Sequence, residues 1–459
     1  MILSNIRIEN RNDYSFLICD VDSKNFSEKT IWFSVPSEYS YMLTPNLYDP
    51  FLVALLFPAM DCGEEIIIKG NVSKKIYKNI NLYVQKILIT YASYLKKINI
   101  EIQGFDVANN KDKKLIGSGF SAGVDSFSTF YDHYVLEDDS DYKINTLFFF
   151  NVGSHGCFSN PNTHARFVER YNSLKSFPNE MNIPYILVDS NIHHFHEKYG
   201  HQKTHPITLI APILVFQSVL SKYYVSNAYN YYEEKKYAMG TFDFDLAEFS
   251  EFYLLPLLSP EGMEIISDGA QYSRTEKESR IINYEPVKRY LNVCVRHDDG
   301  YLTVKNCSCC SKCLRTLMAY DSMKKLDELN NLFDLDIYRK QSYKYKCLQV
   351  LEYKHSGFAK DNIDFAKQNK MSLPPKILAF LVCIPLLLTR SIKKILRKVL
   401  GHTRYELLKV KMKISSLKNC NGCHTCYSVC PKQAIKMVAN SEGFLYPQID
   451  ESLCVKCGL

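Results

Sequence analysis

From Met1 to about Asp112, short apolar runs set the rhythm of the chain. Thr30–Val35 and Glu65–Lys69 have β-prone composition, and between them Phe51–Met60 predicts a short helix or a buried strand. The pattern predicts a small α+β domain over residues 1–112. The rhythm then changes. Lys114–Phe120, Ile144–Val152 and Tyr185–Val188 read as buried strands, each followed by a segment with helical spacing. Alternating strands and helices predict a parallel sheet in an α/β unit over residues 113–325. Pro206–Leu220 predicts a helix packed on that sheet, with Pro206 in its first turn, where a missing N–H is harmless, and a bend at Pro212. Beyond Tyr223 the alternation fades. Leu314–Leu332 predicts one or two closing helices, and residues 326–413 read as a helical and basic linker. Within it, the apolar stretch Leu373–Leu388 is broken by Pro374, Pro375 and Pro385 and is short for a membrane span. No internal repeat is visible.

A chain of 459 residues is long enough for two to four core-bearing units. Its 46% hydrophobic and 23% charged residues exclude a disordered or collagenous class. The formal charge of +7 is modest for this length and names no partner by itself. It concentrates, however, in Arg390, Lys393, Lys394, Arg397, Lys398, Arg404, Lys409, Lys411, Lys413 and Lys418, where Glu406 is the one acid. A basic stretch beside an apolar one suits a peripheral membrane or RNA contact through 390–418, or a solvated linker. Met1–Glu9 has no signal-peptide pattern, so a cytoplasmic location is expected. Of 16 cysteines, ten fall in two groups, Cys307–Cys313 and Cys420–Cys457, a clustering that argues for metal ligands over disulfides. Cys19, Cys62, Cys157, Cys347 and Cys383 read as small buried hydrophobes.

The segment Gly117-Ser-Gly-Phe-Ser121-Ala122-Gly123-Val124-Asp125-Ser126 falls between a predicted strand and a predicted helix, so successive amides face an anion at a helix N-terminus. Gly123 allows close backbone approach to phosphate, Ser121 and Ser126 offer hydroxyls, and Asp125 is a candidate Mg²⁺ ligand. No Gly-Lys-Ser/Thr follows, which excludes a Walker A loop. The segment resembles the Ser-Gly-Gly-x-Asp-Ser signature of the PP-loop ATP pyrophosphatases, which include the 7-cyano-7-deazaguanine synthase, asparagine synthetase and tRNA-thiolating families. The likeness spans roughly Lys114–Arg315. It implies an adenine nucleotide alpha hydrolase-like core that splits ATP to AMP and pyrophosphate and adenylates a carboxylate, amide or base carbonyl. Ser121, Gly123, Val124, Asp125 and Ser126 would hold pyrophosphate and its metal. Ala122 departs from the signature, and its Cβ is expected to narrow the loop or forbid a positive φ.

Ser267-Asp268-Gly269-Ala270 and Arg274-Thr-Glu-Lys277 resemble an Asp-Gly-Ala and Arg-x-x-Lys stretch of uncharacterised relatives of that synthase. Arg274 and Lys277 would then contact phosphate or substrate; on composition alone they are surface charges at a helix start. His193, His194, His196, His201 and His205 crowd one region, where hydrogen bonding or solvation is expected over metal ligation. His155 follows a predicted strand, where open α/β sheets place ligands.

Cys307-Ser-Cys309-Cys310-Ser-Lys-Cys313, with Cys294 upstream, allows a closed four-thiolate site, because buried thiolates require a cation. The preferred set is Cys294, Cys307, Cys310 and Cys313, with Cys309 either spare or replacing Cys307. It resembles the zinc site of the deazaguanine synthase family, a likeness that Lys312, Leu314, Arg315 and Thr316 extend. In the tail, 414–459, Cys420-x-x-Cys423-x-x-Cys426-x-x-x-Cys430-Pro431 has the bacterial ferredoxin spacing, and a second motif begins at Cys454 and Cys457. A ferredoxin-like 4Fe-4S domain and a redox partner are expected. Three ligands per cluster imply either a fragment or one unusually ligated cluster. Glu442–Asp450 resembles the front end of the deazaflavin-dependent hydrogenase/dehydrogenase beta-subunit family.

Three functions are compatible with these features. The first is an ATP-dependent adenylating enzyme with a structural Zn²⁺ and a tethered electron-transfer module, its acceptor an unassigned small molecule or tRNA. The second is iron–sulfur-dependent tRNA thiolation, and the third a non-catalytic redox carrier or scaffold with a degenerate loop.

Overall fold

The computed structural model describes residues 1–108, 115–155, 162–231, 246–294 and 306–385, and in the tail 427, 432, 434–439, 445–450 and 453. The chain divides into two compact units, Met1–Pro374 and Pro375–Leu459.

The first unit is mixed α/β, built on one ten-stranded sheet. Its strands are β1 (Ile2–Arg11), β2 (Tyr14–Asp22), β3 (Thr30–Pro36), β4 (Ile66–Val72), β5 (Ile100–Phe105), β6 (Leu115–Gly119), β7 (Thr146–Phe150), β8 (Tyr185–Ser190), β9 (Leu220–Ser226) and β10 (Glu264–Asp268). Their order is β10-β9-β6-β7-β8-β3-β2-β1-β4-β5. The strands from β10 to β8 are parallel. β3 joins them antiparallel through Phe33 opposite Ser190, so the strands on either side of residue 112 share one sheet.

Side-chain alternation on β7 shows how both sheet faces are covered. Phe148 and Phe150 enter one core with the helices Asp49–Cys62 and His201–Leu214. Leu147 and Phe149 enter another with Phe127, Phe130 and Phe167. A parallel strand buried on both faces is therefore apolar without a break, as Thr146–Phe150 is. Phe51–Met60 resolves as a helix, its residues wholly buried.

Three expectations are corrected. The helix read as Pro206–Leu220 runs from His201 to Leu214; Gly200, at φ +80°, precedes it, and Pro206 falls in its second turn. Leu220 instead opens β9, because the chain turns after Leu214 with no glycine or proline to announce it. Alternation continues past Tyr223 through the helix Leu246–Leu257 and β10. Finally, the helices Leu335–Glu352 and Gly357–Gln368, read as linker, put Leu335, Tyr338, Tyr345, Ile363 and Ala366 into the core behind β6.

The strand order places a crevice. The helices after β6 and β7 cover one face, and those after β8 and β9 the other. The direction of winding reverses between β6 and β9, and the crevice beyond the C-terminal ends of such strands is where open α/β sheets bind ligands. Gly117 sits in β6 at this seam: a Cβ there would lie 2.8 Å from Phe148 and 3.0 Å from Tyr223, so only glycine lets the neighbouring rings close over the strand.

In the second unit, residues 376–385 are helical, and β11 (Ile435–Ala439) pairs antiparallel with β12 (Leu445–Ile449).

Candidate functional site

The loop 120–123 leaves the end of β6 and enters the helix Val124–Phe130, which continues without interruption as a π-helical turn through Val135. No side chain caps this helix, so its first amides keep donors to spare. Ser126 Oγ donates to the Gly123 carbonyl at 3.0 Å and accepts from the Ser121 amide at 3.4 Å, closing the loop. A Cβ at position 123 would meet nothing nearer than Ser121 Oγ at 3.4 Å, so the glycine relieves no clash. Ala122 does take a positive φ, +54°, contrary to the expectation from its Cβ. Its methyl is fully buried and its carbonyl accepts from Asn292 N–H at 2.7 Å, contacts that offset the roughly 1–2 kcal/mol of the left-handed conformation.

Asp125, Arg274 and Lys277 are brought together. Arg274 Nη1 donates to Asp125 Oδ2 at 2.6 Å and Lys277 Nζ to Oδ1 at 3.2 Å. The helix Arg274–Ile281 carries both cations on one face; a capping box of Ser273 and Glu276 starts it. Lys277 also donates to the Asn227 carbonyl, just past β9, at 2.5 Å. Gly269, at φ +86°, makes room for it: a Cβ would stand 3.1 Å from Nζ. Burial alone would raise Asp125, yet Arg274 and Lys277 outweigh it and hold its carboxyl well below the ordinary range. Glu278 shares the same guanidinium, accepting from Arg274 Nε at 3.4 Å and from Thr316 Oγ1 at 2.8 Å. Here burial dominates the pull of Arg274 and pushes the carboxyl up to about 7. Arg274 and Lys277 are therefore buried cations, not the surface charges their composition suggests.

A cavity of about 390 Å³ opens at the β6/β9 seam. Ser121, Asp125 and Ser126 form one part of its lining, with Arg170 and Lys312. Neither Arg170 nor Lys312 makes an ion pair with a carboxylate among the described residues, and Arg170 Nε is buried without a hydrogen bond. Loss of surrounding water, with the charges of Arg274 and Arg315, pushes the Lys312 amine down to about 8. His155, His201, His205, Phe149, Phe150 and Tyr223 line the rest. Burial, assisted by Lys312, lowers His205 to about 4, so it is neutral at pH 7. The other histidines serve the fold: His196 Nε2 reaches the Ala54 carbonyl at 2.7 Å and His194 pairs with Glu28 at 3.0 Å.

The four thiols of Cys294, Cys307, Cys310 and Cys313 lie within 4.8 Å of one another, with Cys294 to Cys310 at 4.0 Å and Cys307 to Cys313 at 3.9 Å. A tetrahedral ion with metal–sulfur bonds of about 2.3 Å holds its sulfurs roughly 3.8 Å apart, so the set fits a four-thiolate metal site. The amides of Cys310 and Cys313 donate to the sulfurs of Cys307 and Cys310 at 3.3 and 3.5 Å. Ser308, at φ +57°, turns the chain between ligands. Cys310 caps the helix Ser311–Ser322, which carries Lys312 to the cavity and Thr316 to Glu278. Cys309 stays outside the cluster. Among the described residues no other group of His, Cys, Asp and Glu forms a candidate metal site.

Arg170 and Glu278 were missed from sequence. Glu278 had a legible signal: the Ser273/Glu276 capping box fixes the helix start, and i, i+3, i+4 spacing then puts positions 274, 277 and 278 on one face. A lone arginine such as Arg170 had none.

Cys420, Cys423, Cys426, Cys430, Cys454 and Cys457 lie outside the described residues, as does the basic run 390–418. Among the described residues no helix is long and apolar enough to cross a membrane. Residues 419–459 match the family described as a 4Fe-4S dicluster domain. No curated protein and no solved structure matched the chain. The tail is thus an iron–sulfur domain, which supports an electron-transfer module.

Proposed function

We propose that Met1–Pro374 is an ATP-dependent adenylating enzyme and that the iron–sulfur tail is its tethered redox module. The observation that carries this reading is the meeting, at the winding reversal of a parallel sheet, of an uncapped helix N-terminus with Arg170 and Lys312, two cations that pair with no carboxylate among the described residues. Such a site needs an anion. The amides of residues 124–126 and the hydroxyl of Ser121 would donate to the β- and γ-phosphates, and Lys312 and Arg170 would offset their charge. An acceptor oxygen, seated against His155, His201 and Tyr223, would attack the α-phosphorus. The bond from the α-phosphorus to its bridging oxygen breaks, pyrophosphate leaves with that electron pair, and AMP stays on the acceptor.

Asp125 is already committed on both oxygens to Arg274 and Lys277. It positions the cations and the helix start, and this arrangement does not suit a divalent ion. Cys294, Cys307, Cys310 and Cys313 would hold Zn²⁺, whose charge and bonds would fix the helix bearing Lys312. The test is pyrophosphate release when the purified chain is mixed with ATP and a panel of carboxylates, amides and RNA. Release dependent on one acceptor supports adenylation. ATP binding with no release on any acceptor would leave a nucleotide-binding redox carrier.

A further inference from the structure

β6 carries two glycines on one face, Gly117 and Gly119, and both make room for Tyr223. A Cβ at Gly117 would lie 3.0 Å from Tyr223 Cδ2, and one at Gly119 would lie 3.2 Å from the phenol oxygen. The ring therefore runs along β6 toward the C-terminal end of the strand. Its hydroxyl arrives beside Gly119, which lines the cavity as Tyr223 itself does. That hydroxyl is buried and makes no hydrogen bond among the described residues. Burial alone raises the phenol well above its ordinary value, so the group is a neutral donor. Ser226 Oγ, from the wall of the same cavity, is also buried with no hydrogen bond among the described residues. Native proteins pair their buried polar atoms, and two such hydroxyls lining one cavity point to a ligand.

We propose that Tyr223 and Ser226 recognise an uncharged amide of the acceptor, open-chain or within a ring. This rests on the adenylation reading above, which gives Arg170 and Lys312 to phosphate and leaves the remainder of the cavity to the acceptor. Around Tyr223 that remainder is apolar, with the rings of Phe148 and Phe150 at 5.8 and 6.3 Å. Asp125, the one carboxylate among the described lining residues, is held by Arg274 and Lys277. A carboxylate seated there would give up its hydration with no cation left for it, and an ammonium group would meet no counter-charge. An amide has far less hydration to lose. Its carbonyl oxygen accepts from the phenol through one lone pair and keeps the second for phosphorus, and its N–H donates to Ser226 Oγ.

Titration of the full chain with benzamide, benzoate and benzylamine, followed by ligand-observed NMR, tests this with three probes of one shape and different charge. Benzamide should bind about tenfold tighter than either of the others. Tyr223→Phe removes the hydroxyl and keeps the ring; it should weaken benzamide about fivefold and leave ATP affinity within about threefold. Gly119→Ala puts a methyl 3.2 Å from the phenol oxygen and should act in the same sense with Tyr223 intact. Near-ultraviolet circular dichroism like that of the parent is the control for folding in both variants. Benzoate or benzylamine binding as tightly as benzamide would overturn the proposal. So would benzamide affinity unchanged in both variants, or ATP affinity falling as far as that of benzamide, which would give the phenol to the nucleotide. Phenol-dependent benzamide binding by a chain that binds no ATP would keep the amide site and remove the adenylation reading instead.

Discussion

The loop at 121–126 and the thiol knuckle at 307–313 both feed a helix N-terminus, yet they are held by opposite means. The partners of the first are remote: Arg274 and Lys277 lie 149 and 152 residues from Asp125, and β9 and Asn292 supply the rest of the frame. The knuckle is local, with three of its four sulfurs inside seven residues and amide-to-sulfur bonds between neighbours. The proposed anion site, assembled by the sheet, can exist before a ligand arrives, because protein carboxylates balance part of its charge. Four converging thiolates have no such balance and close only around a cation. The two meet on the helix Ser311–Ser322, capped by Cys310 and carrying Lys312 and Thr316.

The largest expected effect breaks the local loop. Cys313→Ser should lose the bound metal and destabilise the first unit by more than about 4 kcal/mol, since metal binding is here folding free energy. Metal content and thermal unfolding check this together; an unchanged melting temperature with metal lost would show that the knuckle is not closed by a cation.

Next comes pH, which separates two carboxylates on one guanidinium. Glu278 is raised in the folded chain to about 7 from an unfolded value near 4.5. Stability is therefore full below about pH 4.5 and declines as pH rises to about 7, by about 3 kcal/mol once both states are ionised. Asp125 is depressed, so its contribution has the opposite sign: it is present above its unfolded value near 4 and lost as pH falls. Denaturant titrations across pH 4–8 should show the decline in the parent and a flatter curve in Glu278→Gln. An unaltered curve would mean that another group carries the dependence.

A smaller change tests the frame of the remote loop. Gly117→Ala forces a methyl against Phe148 and Tyr223 and should cost about 1–3 kcal/mol, read by chemical denaturation; a neutral result would mean that the β6/β9 seam has slack.

The same contrast governs what the sequence discloses. The thiol set was legible because spacing alone defines it, and the strands β6, β7 and β8 because each is a short apolar run between polar breaks. The loop was legible in outline, from Gly117 to Ser126. Its electrostatics were not: the commitment of Asp125 to Arg274 and Lys277 depends on how β6, β9 and the helix Arg274–Ile281 come together. β9 was lost for a different reason. Leu214–Leu220 is apolar except for Gln217 and Ser218, too short a polar break for periodicity to divide helix, turn and strand. Glu278 was lost because Arg-Thr-Glu-Lys-Glu reads as a solvated face, whereas tertiary packing buries it.

The central claim is that protein cations and loop amides hold the terminal phosphates of ATP. Isothermal titration of ATP, with pyrophosphate as competitor, tests it on the parent chain and on Lys312→Ala with its metal content verified. The account predicts saturable binding that pyrophosphate displaces and chelation of magnesium leaves within about threefold, with affinity about tenfold lower in Lys312→Ala, the loss expected for one charge-assisted contact. Equal affinity in the two proteins, or ATP binding that pyrophosphate does not displace, would contradict it.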